Sequence, residues 1–411
     1  MKELKNIVKL YQRSQETGDQ TVMASVVNIS GSAYRRPGAH MLFTRAGDFA
    51  GSISGGCLER DVIERFDEVV RSSKPLMLAY SARDIDDEFA LGLGCDGSIE
   101  ILLEVVAADN QRINLVELFD AVESSRRKTA FATIIGVDGG GDTGPNHLLD
   151  LLGSRLALSA GQPPRSDRQL AAPGFADLQY QLQLACEQAL VSGTAGPSTI
   201  AFRSFNFQIV KEIIEPSVQI VIFGGGHDAI PLVEIAHTLG MRSCVFDRRP
   251  AYANRRHFPN CDAIVVSGPD RIKIEEIVDD RSACIVMNHQ IDVDRNVIAC
   301  LLPSAAPYIG ILGPKRRTAR MLRELQESGV QWQASTLARL FSPVGVDIGA
   351  ETPEEIALSI VAEIKSVFQG SSAGFLRDKN LAIHDDGHEQ NAKTRPLRNA
   401  KKQSTLPACS L

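Results

Sequence analysis

The 411 residues include eight cysteines but no CxxC pair, and that absence removes the usual structural zinc frameworks. No apolar run approaches the roughly 20 residues that span a bilayer. The first ten residues, Met1 to Leu10, are charged and amphipathic, without the apolar centre of a signal peptide. A basic excess is also missing: the net charge is −6, so no global field recommends a nucleic-acid partner. A large chain without a leader is not expected to carry a disulfide framework either. What is present is 44% hydrophobic and 23% charged sequence, the balance of a soluble, cytosolic, globular protein of two or three domains.

The first region, 1–106, reads as strands with one good helix. Thr21 to Ile29 is rich in β-branched residues. A polar turn over 30–38 follows, then a short strand at His40 to Phe43. From Leu58 to Val70 the apolar positions fall on one helical stripe, and Ile99 to Val106 forms another strand. The region 107–215 is the least legible. Phe131 to Val137 suits a strand and Leu178 to Val191 a helix, with glycine- and proline-rich turns between them. No chemistry is assigned there.

From 216 to 368 short, wholly apolar runs alternate with helical patterns, as in a parallel sheet covered on both faces. The strands are expected at Val218–Phe223, Ser243–Phe246, Ala263–Val266, Cys284–Met287 and Tyr308–Leu312, with a first helix over Asp228–Leu239. The last helix opens at Thr352-Pro353-Glu354-Glu355, a capping box with proline in the first turn. The fold class is therefore α/β, a mixed α/β N-terminal domain followed by a Rossmann-like parallel-sheet domain. Past Gly370 the chain turns polar, and 369–411 is expected to be a disordered tail.

Gly224-Gly225-Gly226-His227-Asp228-Ala229 fits G-x-G-x-x-A between a strand and a helix, with Asp247 closing the next strand. Glycines let the backbone approach a phosphate, the helix start offers N–H donors, and the acid can accept from ribose hydroxyls. The alternative is a tight turn without a ligand. No G-K-[ST] ending follows, which argues against an ATP-hydrolysing loop, and Arg248 and Arg249 leave NAD against NADP open. Lys315, Arg316 and Arg317 open a later helix, where cations oppose the dipole unless an anion sits there; the other reading is a solvated charged face. His289 ends the Cys284–Met287 strand. With His227 it is placed to flank the switch-point crevice, as a hydrogen-bonding group, as a metal ligand beside Asp292, or as an ordinary structural histidine.

Two thiols differ from the rest. Cys57 follows Gly55-Gly56 at a helix start, which lowers a thiol's pKa, and Cys95 lies between Gly94 and Asp96-Gly97. Accessible thiols of this kind suit a soft metal, sulfur transfer or redox chemistry; otherwise they are small fillers of tight turns. Most of the cysteines are expected to be buried, small and inert.

The stretches Ser32–Ala39, including Arg36, then Gly51–Glu59 and Gly92–Gly97 resemble the N-terminal domain of the XdhC/CoxI family in order and spacing. Phe223–His227, Asp247–Pro250, His289, Tyr308–Arg317 and Gly345–Ala357 resemble its C-terminal Rossmann domain. The resemblance implies an accessory protein without turnover of its own. Such a protein holds molybdenum cofactor, as molybdopterin or its cytosine dinucleotide form, while a cysteine desulfurase supplies the sulfido ligand. It then passes the cofactor to an apo molybdenum hydroxylase of the xanthine dehydrogenase type. It further implies a homodimer, cofactor contact by Cys57 (including molybdenum) and Cys95, and phosphate binding by Lys315 and Arg316. Thiol and phosphate cradle are expected to meet across one interdomain cleft. The rival reading is an NAD(P)-dependent oxidoreductase with His289 as acid/base, which leaves the thiol loops idle; a third is a pure interaction scaffold.

Overall fold

The computed structural model describes residues 1–31, 35–56, 58–81, 98–106, 111–139, 146–268 and 273–378. The described residues form three sheets. The first is antiparallel, in the order β3-β2-β1-β5-β4, with β1 Thr21–Ser30, β2 His40–Thr44, β3 Phe49–Gly51, β4 Leu76–Ser81 and β5 Ser98–Val106. The second, where the sequence is least legible, holds β6 Thr129–Gly139, β7 Arg155–Ser159, β8 Arg165–Ser166, β9 Gly196–Phe202 and β10 Phe205–Ile214 in the order β8-β7-β6-β10-β9. The two orders are the same permutation.

The likeness extends to the side chains. Helix α1 (Lys2–Thr17) precedes β1 and α2 with α3 (Glu59–Glu64, Phe66–Ser72) follows β3; α4 (Leu115–Ser125) precedes β6 and α5 (Ala176–Ser192) follows β8. Ile7 and Tyr11 of α1 are buried as Leu115 and Phe119 of α4 are. Where the sheets meet, Val27 and Leu102 pack on Ile135 and Val210. Each of these pairs is separated by the same interval of sequence. Buried carboxylates complete the exchange. Glu104 of the first unit lies 2.5 Å from Arg155, the first residue of β7, and Glu212 of the second lies 2.9 Å from His40, the first residue of β2. The N-terminal half is thus two copies of one unit, each giving a carboxylate to the other.

The third sheet is wholly parallel and has the order β13-β12-β11-β14-β15-β16, with β11 Gln219–Phe223, β12 Arg242–Asp247, β13 Ala263–Val266, β14 Ser282–Val286, β15 Tyr308–Ile311 and β16 Leu340–Phe341. This is the Rossmann order, with the reversal between β11 and β14. Helices α6 (Ala229–Thr238) and α9 (Pro353–Gln369) cover one face, and α7 (Ile291–Leu301) and α8 (Lys315–Glu327) the other. The capping box read at Thr352 is present, Thr352 accepting from the Glu355 N–H and Glu355 from the Thr352 N–H. The stripe read as one helix from Leu58 is two, broken at Arg65. Both still bury Leu58, Val62, Phe66 and Val69 in one cluster.

The parallel sheet is tied to the N-terminal half at the edge where its strands begin. Arg126 donates to Asp279 at 2.5 Å and to the Ser217 carbonyl at 3.2 Å, and Glu123 accepts from the Ser217 N–H at 2.9 Å. Lys2 donates to the carbonyl of Thr238, at the end of α6. Among the described residues no helix is long and apolar enough to cross a membrane.

Candidate functional site

The crevice at the C-terminal ends of β11 and β14 is built by its glycines. Gly224 has φ +119°, and a Cβ there would lie 2.5 Å from the Met287 carbonyl oxygen, so only glycine lets the turn pass the neighbouring strand. Gly226 is the opposite case. A Cβ on it meets nothing within 4 Å, and its space opens to solvent.

Asp247, placed by sequence as a ribose acceptor, is buried and committed. It accepts from the Gly225 N–H at 2.9 Å and from Arg249 through the backbone N–H, Nε and Nη2 at 2.9, 2.9 and 2.7 Å. Burial alone would raise its pKa; the Arg249 and Gly225 bonds outweigh it and hold the carboxyl below its usual range. Deeper in, Phe223 stacks on Phe246 with centroids 5.5 Å apart, and the space left there is about 10 Å³. Above it Arg248 reaches Gln290 at 2.5 Å, from the end of β12 to the loop after β14.

Both histidines border this turn. His227 is exposed and tilts toward His257, with ring centroids 6.0 Å apart. His289 adopts φ +60°, rare for a residue with a side chain, and its Nε2 lies 3.3 Å from Asp228. Asp292 pairs with Arg295 instead, and among the described residues no group of three or more His, Cys, Asp or Glu side chains could hold a metal ion.

The cation run at the start of α8 divides by role. Arg317 turns inward, bonding the fully buried Asp294 and the Leu312 carbonyl. Lys315 and Arg316 are exposed at the helix start and make no ion pair among the described residues. Arg320 is held by Glu324 at 2.7 Å.

In the N-terminal half, Cys57, Cys95 and the Ser32–Tyr34 segment lie outside the described residues. The loop leading to Cys57 is described, and it is organised by a residue that sequence reasoning passed over. The Glu59 carboxylate, 7% exposed, accepts from the backbone N–H groups of Ile53, Ser54, Gly55 and Gly56 at 3.1, 3.0, 3.1 and 2.9 Å. It also accepts from the hydroxyls of Ser52 and Ser54. Burial would raise its pKa, but these donors win and bring it to about 2. The loop is an anion cradle filled by its own carboxylate. Its outer side, Gly55, Gly56 and Ser52 with Phe49, Arg60 and Ile63, lines an open concavity of about 710 Å³. Arg36 is exposed in the preceding turn. Most of the described cysteines read as inert are buried: Cys186, Cys244, Cys261 and Cys284 are, and burial pushes Cys186 and Cys244 up to about 12, whereas Cys300 is half-buried and Cys409 lies outside the described residues.

The expectation of one cleft shared by both halves turns on Cys57 and Cys95, which lie outside the described residues. The seam lies where the parallel strands begin, whereas the Gly224 turn, His289, Lys315 and Arg316 lie where they end. The concavity beside Gly56 is lined by the N-terminal half and the crevice by the Rossmann-like domain. Which edge of the parallel sheet docks on the N-terminal half is not legible in sequence, because either edge of a parallel sheet can dock.

Comparison with known proteins agrees with this architecture. Residues 14–81 match the XdhC and CoxI family, and residues 220–364 match the XdhC Rossmann domain. The chain is 29% identical over 352 residues to a probable xanthine dehydrogenase subunit of Bacillus subtilis, covering 85% of this chain and 93% of that one. It is 20% identical over 363 residues to the molybdenum cofactor insertion chaperone PaoD of Escherichia coli, covering 88% of each. A crystal structure described as a xanthine dehydrogenase from Bacillus halodurans superposes with a TM-score of 0.66 at 26% identity, over 90% of this chain and 98% of that one. With both of its regions matched in order and its fold shared along nearly the whole length, the chain belongs to the XdhC and CoxI family.

Proposed function

We propose that this protein holds molybdenum cofactor, as molybdopterin or its cytosine dinucleotide form, and delivers it to an apo molybdenum hydroxylase of the xanthine dehydrogenase type. In this reading it acts as a homodimer and catalyses no turnover itself. The names of its relatives from Bacillus subtilis and Escherichia coli support that role. The observation that carries it is the inventory of the crevice rim. Asp247 is committed to Arg249, and Phe223 and Phe246 close the interior. What remains open is an anion-binding set: the space over Gly226, His227, and Lys315 and Arg316, which make no ion pair among the described residues. Such a rim suits the phosphate end of a ligand lying across it better than a dinucleotide sunk between the strands.

The phosphate is held by Lys315 and Arg316 with the helix N–H groups behind them. Cys57 supplies a soft donor to the metal end, Cys95 is the second candidate for that role, and a cysteine desulfurase provides the sulfur while the cofactor is held. Protein purified from cells that make the cofactor is expected to release pterin, read by fluorescence after oxidation. Arg316→Glu lowers the yield at least tenfold with an unchanged melting temperature. Pterin-free protein that binds a nicotinamide nucleotide at micromolar concentration would instead favour the oxidoreductase reading, for which the His289–Asp228 contact at 3.3 Å is the supporting observation.

A further inference from the structure

Past β12 the chain folds back over the glycine turn. A Cβ on Gly225 would lie 3.5 Å from the Tyr252 carbonyl carbon and from the Phe258 ring, and Phe258 is buried in the cluster under α6. Asn254 pins this loop from within. Its amide nitrogen donates to the carbonyls of Pro250 and Ala251 at 3.3 and 2.9 Å, and its oxygen accepts from the Arg256 and His257 N–H groups at 3.0 and 3.1 Å. The loop is therefore built by its own contacts, which keeps the ordering cost of any ligand low.

Three rings converge where the loop meets the rim. The His227 centroid lies 6.4 Å from that of Tyr252 and 6.0 Å from that of His257, and the last two lie 6.4 Å apart. In the same order their planes are inclined by 69°, 40° and 75°, so none stacks flat on another and ring faces stay available. Arg249 covers one face of Tyr252, its guanidinium carbon 4.0 Å from the centroid, and Asp247 holds that guanidinium in turn. His227 is exposed, and Tyr252 and His257 are half-buried. Among the described residues neither imidazole nor the phenol makes a side-chain hydrogen bond. Rings with free faces and uncommitted polar atoms suit a planar heterocycle: stacking needs only an open face, and the ring nitrogens and hydroxyl can bond its edge.

We propose that His227, Tyr252 and His257 form a corner that takes a nucleobase, so that the rim prefers the cytosine dinucleotide form of the cofactor to molybdopterin alone. His227 directly follows Gly226. A phosphate over that glycine has the corner on its β12 side. On its other side, two strand positions along at about 10 Å, stand Lys315 and Arg316 after β15. Base, ribose and pyrophosphate fill that row in order, outside the strands and without Asp247, whose carboxylate Arg249 occupies.

The inference rests on the phosphate reading of the rim, and two probes separate the failure of one from the failure of the other. Cytidine monophosphate and ribose 5-phosphate share sugar and phosphate, and only the first has a base. Each is titrated calorimetrically into the full-length protein. The nucleotide is expected to bind at least about tenfold more tightly. Tyr252→Leu should bring it down to the level of ribose 5-phosphate, whose own affinity stays unchanged, whereas Arg316→Glu weakens both. Thermal unfolding checks each variant, and His257→Leu replaces Tyr252→Leu should that protein unfold. Equal affinities in the wild type, or a nucleotide preference that survives the loss of the ring, overturn the base corner while leaving the rim intact. Failure of both probes to bind at millimolar concentration sinks the phosphate reading, and the corner with it.

Discussion

Two glycines two positions apart give the sharpest test of the crevice, because the structure assigns them opposite costs. At Gly224 a methyl group would sit 2.5 Å from the Met287 oxygen and 2.6 Å from its carbon, at a φ of +119°. Backbone strain of about 1–3 kcal/mol and overpacking of about 1–3 kcal/mol act together, so Gly224→Ala should lose roughly 3 kcal/mol or more. At Gly226 nothing lies within 4 Å, and an aspartate three residues before α6 faces the positive end of the helix dipole. Gly226→Asp should therefore unfold within about 1 kcal/mol of the wild type. Its carboxylate nevertheless enters the space assigned to the ligand's phosphate. Two like charges about 5 Å apart at an effective dielectric near 20 repel by roughly 3 kcal/mol, about a hundredfold in Kd. Urea unfolding and retained pterin, measured on the same preparations, read both effects. A Gly226→Asp protein that is stable and fully loaded would refute the assignment of the rim; a Gly224→Ala protein as stable as the wild type would refute the steric argument.

Three further outcomes follow from the described contacts. Glu59 is brought from 4.5 to about 2, worth roughly 3 kcal/mol. Because the folded value is depressed, that stability is present above the unfolded carboxyl range and lost as pH falls from about 5 to about 2; the difference between wild type and Glu59→Gln in urea unfolding should shrink over that window, and a pH-independent difference would count against the cradle. Arg126→Ala leaves Asp279 and the Ser217 carbonyl without their guanidinium at a partly buried seam, so calorimetry should show one half unfolding earlier, by about 1–3 kcal/mol, whereas an unchanged single transition would mean that the seam holds without it. Asp294 is fully buried and serves Asn288 and Arg317; Asp294→Ala should cost about 3–5 kcal/mol in chemical denaturation, and a loss below 1 kcal/mol would show the charge to be dispensable.

The candidate site was legible where local chemistry decides it. A glycine turn between an apolar strand and a helix announces itself, as do paired cations at a helix start. The roles inside those motifs were not legible. Asp247 reads as a ribose acceptor until Arg249 is seen to fill it, and Arg317 reads with Lys315 and Arg316 until Asp294 draws it inward. Glu59 carried no signal of its own, since four backbone N–H groups converge on it only once the loop has folded.

By itself the amino-acid order determined the parallel sheet, its covering helices, the capping box at Thr352 and the glycine turn, because burial on two faces and helix-end chemistry leave direct marks on residue type. The doubled N-terminal unit was decided by tertiary structure. Its equivalent positions agree in burial and in reciprocal charge pairing, as at Glu104–Arg155 and Glu212–His40, and not in residue identity. The direction in which the Rossmann-like domain faces is likewise set by a few contacts distant in sequence, Arg126 to Asp279 and Lys2 to Thr238. Periodicity reports which side of an element is buried and says nothing of which end of a sheet meets its neighbour.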